Sequence, residues 1–200
     1  MQRADVAGGE RQSDGRRRRG DENRSKIVRA MLALTRAGEM APGAAQVAKK
    51  AGVGLRSVFR HFEDMEALYQ EMSQIVTGKI LPIIATPLVA KVWKSQLFEI
   101  AERRMAIYDD IMPIKVAGSL KRFQSRFLMD DYKRHLRMER ETLEAVLPAR
   151  VLKDTTLVRA IEMVISFQAW RRLRQDQNLA TAEARKVTLL LLTRLVAGEA

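Results

Sequence analysis

The chain has 200 residues, is 46% hydrophobic, carries a formal net charge of +12 and contains no cysteine. That length allows one sizeable core, or a small domain beside a larger one. The lack of cysteine excludes a disulfide framework and a thiolate metal site and points to the cytoplasm. The longest apolar run, 80–90, is interrupted by Pro82 and Pro87 and is too short to span a bilayer, so no membrane partner is expected.

The first 22 residues have little apolar content and include Arg16, Arg17, Arg18 and Arg19 in one run. Such a segment buries too little surface to order itself, so a disordered basic arm over 1–22 is expected. It is suited to following a DNA backbone, with a solvated tail as the plainer alternative. Helix 1 is expected from about Glu22 or Asn23 to Ala37. Ile27, Val28, Met31, Leu32 and Leu34 form its inward stripe, and Gly38 stops it.

Residues 45–62 read as helix, turn and helix. Val47, Ala48 and Ala51 give the first helix a small apolar side, and Gly52 tolerates the left-handed backbone that ends a helix abruptly. Val58 and Phe62, four apart, face inward from the second helix. Leu55, Arg56, Ser57, Phe59, Arg60 and His61 remain for the outer side. A two-turn helix with cations, a hydroxyl and an aromatic on its free face suits the major groove of DNA. The arginines can bond guanine; Ser57, Phe59 and His61 suit phosphate or a thymine methyl.

With these residues in view, 27–72 resembles the DNA-binding domain of the tetracycline-repressor (TetR) family. The matching pieces are Ile27 to Leu32, then Val47-Ala48-Lys49-Lys50-Ala51-Gly52-Val53, then Ser57-Val58-Phe59-Arg60-His61-Phe62, and finally Glu66-Ala67-Leu68. Phe59 stands where the family usually has tyrosine. The resemblance implies a reader domain over 23–70 and a helical effector-binding and dimerisation domain over 71–200.

Beyond Phe62, Asp64 is expected to cap a fourth helix carrying Met65, Leu68, Tyr69, Met72, Ile75 and Val76. Its pattern fails at Pro82 and Pro87. Helices are expected over 92–111, interrupted by Pro113, over 127–147, over 154–175 and over 181–196. No stretch alternates with period two, so no sheet is expected. The last two helices are apolar around most of their circumference, with Leu189 to Leu192 in one run, and a helix of that kind must be covered on more than one side. A second copy of the chain is the simplest cover, and Leu157, Ile161, Val164, Leu191, Leu192 and Leu195 are the candidate dimer contacts. The resemblance, looser here, implies the same pairing.

Enzyme signatures are lacking. Neither His61 nor His135 belongs to a metal-binding or general-base motif, no phosphate-cradling glycine loop exists, and the adjacent acids Asp109-Asp110 and Asp130-Asp131 diverge on a helix. No metal or cofactor is expected. Trp93, Phe98, Met105, Tyr108, Phe123, Phe127 and Phe167 are candidate walls of a small-molecule pocket between helices. Together these point to an all-α homodimeric regulator with an N-terminal three-helix reader. It would be a repressor that leaves a palindromic operator when a largely apolar effector binds. The alternatives are an architectural DNA-binding protein without effector and a helical enzyme.

Overall fold

The structure is a computed structural model. It describes the backbone of residues 6–199 and the side chains of residues 18–199. It is all-α, with no strand among the described residues: α1 Val6–Arg36, α2 Ala44–Ala51, α3 Leu55–His61, α4 Met65–Ala85, α5 Trp93–Lys121, α6 Arg126–Glu144, α7 Ala149–Lys153, α8 Thr155–Val164, α9 Phe167–Arg171, a π-helical turn Arg172–Asp176, and α10 Thr181–Leu195.

The chain divides into two compact units, and neither is one continuous stretch. The first comprises 1–76 with 113–129, the second 77–112 with 130–200. This differs from the expected division at residue 70. The first unit closes around Ile27, Val28, Met31 and Leu32 of α1, Val47 and Ala48 of α2, Val58 and Phe62, and Leu68 and Met72 of α4. Ile114 packs against the same cluster from a segment more than forty positions along the chain. In the second unit the buried residues include Leu97, Ile100, Leu143, Val151, Ile161, Phe167, Trp170 and Leu192. A fully buried leucine or isoleucine contributes about 1.5–3 kcal/mol by leaving water.

Helix boundaries correct the sequence reading in four places. α1 begins at Val6, so residues 6–22, expected as a disordered arm, continue the first helix; residues 1–5 lie outside the described chain. That segment has five arginines but also four glycines, so intrinsic propensity favours it little; it extends a helix already nucleated by the packed end from Ile27 onward. Pro82 and Pro113 both lie inside helices rather than at their ends. Buried Ile111, Met112 and Ala117 hold α5 on either side of Pro113, which offsets the hydrogen bond that proline cannot donate.

The expected helix over 154–175 is instead divided. Ser166 donates to the Met163 carbonyl at 2.7 Å and accepts from the Ala169 N–H at 3.2 Å, ending one helix and capping the next. Asp64 caps α4 as expected, accepting from the Ala67 N–H at 2.9 Å.

Candidate nucleic-acid interface

The turn between α2 and α3 is set by Gly52, at φ 68° and ψ 33°, a left-handed conformation that costs a Cβ-bearing residue energy. The Gly52 and Val53 N–H groups both turn back onto the end of α2. Val53 reaches the Ala48 carbonyl at 3.1 Å and Gly52 that of Lys49 at 3.3 Å. This pairing closes orphan carbonyls and fixes the exit direction of the chain. Gly54 is extended, and α3 starts at once with Leu55.

Burial then decides which face of α3 is free. Val58 and Phe62 sink into the core, while Leu55, Arg56, Phe59 and Arg60 are exposed and Ser57 is half-exposed. Arg56 and Arg60 are one turn apart, and neither has an ion-pair partner among the described residues. Lys49 and Lys50, exposed at the end of α2, add two cations. Five of the six residues expected on the outer face of α3 are therefore brought together, with an apolar Phe59 at 52% exposure between two arginines.

His61 is the exception. Its Nε2 is buried with no hydrogen-bond partner among the described residues. Partial burial, and after it the charges of Arg60 and Arg24, push the imidazole pKa down against Asp21. That shift favours the neutral ring over the cation. The His61 main chain does more: its carbonyl accepts from Arg24 at 2.6 Å. Arg24 also pairs with Glu71 and lies 4.5 Å over the Phe62 ring. One guanidinium thus joins α1, the end of α3, and α4. Nothing in the sequence motif singles out Arg24; its position three residues before Ile27, one turn upstream on α1, is the signal that could have found it.

Of the arginine run, Arg18 and Arg19 are exposed on α1, and the side chains of Arg16 and Arg17 lie outside the described residues.

Of the seven aromatic and methionine residues expected around a ligand, five lie in the second unit and two in the first. Met105, Tyr108 and Phe167 are buried in the second unit, where Tyr108 and Phe167 meet edge to face at 5.5 Å. Trp93 and Phe98 are half-buried there, with Arg150 5.8 Å and Lys94 5.6 Å from the Trp93 ring. Phe123 and Phe127 belong to the first unit. Phe123 is 74% exposed in the turn after α5, with the Arg122 guanidinium 4.8 Å from its ring. The Phe127 N–H is fixed by the Glu66 carboxylate at 2.6 Å, which also accepts from Ser125 at 3.1 Å.

The candidate dimer residues also sort by burial. Ile161 and Leu192 are fully buried within their own unit, because α8 turns Val158, Ile161 and Ile165 inward and α10 turns Ala184, Thr188 and Leu192 inward. These two are core residues and not surface contacts. Leu157, Val164 and Leu195 are half-buried, and Leu191 is exposed. Exposed Met163 and Leu190, not among the expected residues, lie on the same two helices.

Among the described residues no helix is long and apolar enough to cross a membrane, and no cluster of acids and histidines could hold a metal. No family model and no curated protein matches the chain. Its fold is similar to that of a transcriptional regulator from Rhodococcus sp. Rha1, with a TM-score of 0.67 at 14% identity, covering 88% of this chain and 96% of that one. At that identity the likeness establishes a shared fold.

Proposed function

We propose that the chain is a TetR-type transcriptional regulator that reads a palindromic operator as a homodimer and is released by a small molecule. The observation that carries the reading is the free face of α3. Arg56 and Arg60 stand exposed one turn apart, without an ion-pair partner among the described residues, on a helix whose opposite side is locked by Val58 and Phe62. Arginine is the side chain best shaped to bond guanine with two parallel hydrogen bonds. A two-fold dimer would set two such helices on half-sites about 34–36 Å apart. The exposed apolar residues Met163, Leu190 and Leu191 supply a face for the partner copy. The fold shared with a solved transcriptional regulator is consistent with this reading.

Release is the finer part of the reading. It is supported by a second unit much larger than dimerisation requires, and by the lack of a catalytic set in the sequence. A hundredfold loss of operator affinity needs about 2.7 kcal/mol of differential ligand binding between the two states. The reading is tested by selecting operators from a random duplex library and measuring affinity and salt dependence on the selected and on random DNA. A specificity ratio near one would favour an architectural role instead.

A further inference from the structure

Arg104 occupies a core position. The inward face of α5 runs Leu97, Ile100, Ala101, Arg104, Tyr108 and Ile111, and Arg104 is only 8% exposed in the middle of it. Arginine so deeply placed normally carries a carboxylate partner, since an uncompensated buried charge is strongly destabilising. Even more exposed arginines of the second unit have such partners: Arg103 pairs with Glu99 at 2.7 Å, Arg140 with Glu162 at 2.9 Å and Arg174 with Asp109 at 3.1 Å.

Arg104 does not. One terminal nitrogen donates to the main-chain carbonyl of Glu139, while the Glu139 carboxylate accepts from the Tyr108 hydroxyl at 3.0 Å. Among the described residues no carboxylate comes within ion-pair distance of the guanidinium, and its Nε and second terminal nitrogen meet no acceptor. Neither of these nitrogens is a sealed, unpartnered atom, so both keep some accessible surface. A guanidinium therefore offers free donors from within an apolar wall, beside the edge-to-face pair of Tyr108 and Phe167.

We infer that Arg104 is the anion-recognising residue of an effector site in the second unit, and that the effector is a monocarboxylate with an apolar body. The inference rests on the reading of the chain as a ligand-responsive regulator. The fork of guanidinium donors matches a planar carboxylate. The single guanidinium can pair with one negative charge, and the Glu139 carboxylate nearby disfavours the second charge of a phosphate monoester. The surrounding leucine, isoleucine and aromatic side chains suit a hydrocarbon or aryl body.

The experiment uses the full chain without DNA. Octanoate and phenylacetate are titrated by calorimetry against octanamide and phenylacetamide, their neutral counterparts. The acids are expected to bind at least about tenfold more tightly than the amides. Arg104→Gln should reduce acid affinity by about tenfold or more while leaving the amides unchanged. Should Arg104→Gln fail to fold, hydrogen exchange on the wild type decides: octanoate, and not octanamide, should slow exchange over 100–112 and 134–144. Equal binding of acids and amides, no binding of either acid at millimolar concentration, an Arg104→Gln protein that binds acids as the wild type does, or unprotected segments would each overturn the inference. Operator affinity is measured separately. Octanoate that binds through Arg104 without changing it would uphold this site and reject the release mechanism.

Discussion

The Arg24 guanidinium donates to the main-chain carbonyl of His61 across 37 positions of sequence, at 2.6 Å. The last turn of a helix leaves carbonyls without intrahelical donors, and a charged donor there satisfies one of them while opposing the negative end of the helix dipole. Arg24 therefore sets the tilt of α3 from its C-terminal end, as Gly52 sets it from the other.

Replacing Arg24 by alanine is expected to cost about 1–2 kcal/mol of stability, from one charge-assisted bond and one cation–π contact. The exposed pair with Glu71 adds little. Operator affinity should fall further than stability alone explains. Arg24→Lys should not restore it, because lysine cannot span the carbonyl and the carboxylate as the planar fork does. Thermal unfolding and fluorescence anisotropy on labelled operator check both halves.

On the free face of α3, Arg56→Ala or Arg60→Ala should cost about 1–3 kcal/mol on specific DNA if that side chain reads a base. A loss of the same size on random DNA would assign that arginine to phosphate. Deleting residues 1–20 should leave the first unit folded and flatten the salt dependence of binding, since fewer phosphates are neutralised.

How much of this was legible in the sequence follows from the kind of signal each element carries. The α2–turn–α3 unit is local: two apolar helix faces and one left-handed glycine lie within eighteen residues, and pattern alone exposes them. Asp64 as a cap is equally local. Arg24, Arg104 and Glu66 act on partners dozens of positions away, where no periodicity records the pairing. Pro113 misled for a related reason, because its intrinsic cost is visible in sequence while the packing that offsets it is not. Leu189 to Leu192 showed that α10 is apolar on several sides, but only burial shows that Leu192 belongs to the core and Leu191 to the surface.

That distinction separates two substitutions adjacent in sequence. Leu192→Ala should cost about 2–5 kcal/mol of folding stability by opening a cavity. Leu191→Asp should leave the protomer folded and convert a dimer to monomer by placing an unpaired charge in the contact. Thermal denaturation and sedimentation velocity tell the outcomes apart. A wild type that sediments as a monomer at micromolar concentration would remove the dimer from the proposal.

Asp109 is the second long-range hub. Its carboxylate accepts from Trp170 at 3.0 Å, Arg174 at 3.1 Å and Thr181 at 2.9 Å, joining α5 to α9, the π-helical turn and α10. Partial burial raises its pKa, but the bonds from Arg174, Trp170 and Thr181 together outweigh that and leave it below the ordinary carboxylate value. A carboxylate depressed on folding stabilises fully above its unfolded pKa, about 3.9, and loses that contribution as pH falls through the folded value. Asp109→Asn should therefore cost about 1–3 kcal/mol at neutral pH, with the difference from wild type narrowing only in strong acid. Melting curves between pH 7 and pH 2.5 measure it.

The first unit draws on residues 113–129, so its parts leave the ribosome at different times. When residue 76 has been made, Ile114 is still to be translated, and the Glu66 carboxylate has neither Ser125 nor Phe127 to hold. At about 5–20 residues per second, the missing piece arrives roughly 3–10 s later. During that interval the core cluster of the nascent helix-turn-helix is without Ile114. It also means that a fragment ending after α4 retains every residue proposed to touch DNA while lacking part of its own floor. Grafting this reader onto another protein would have to carry residues 113–129, the end of α5 and the start of α6, along with it.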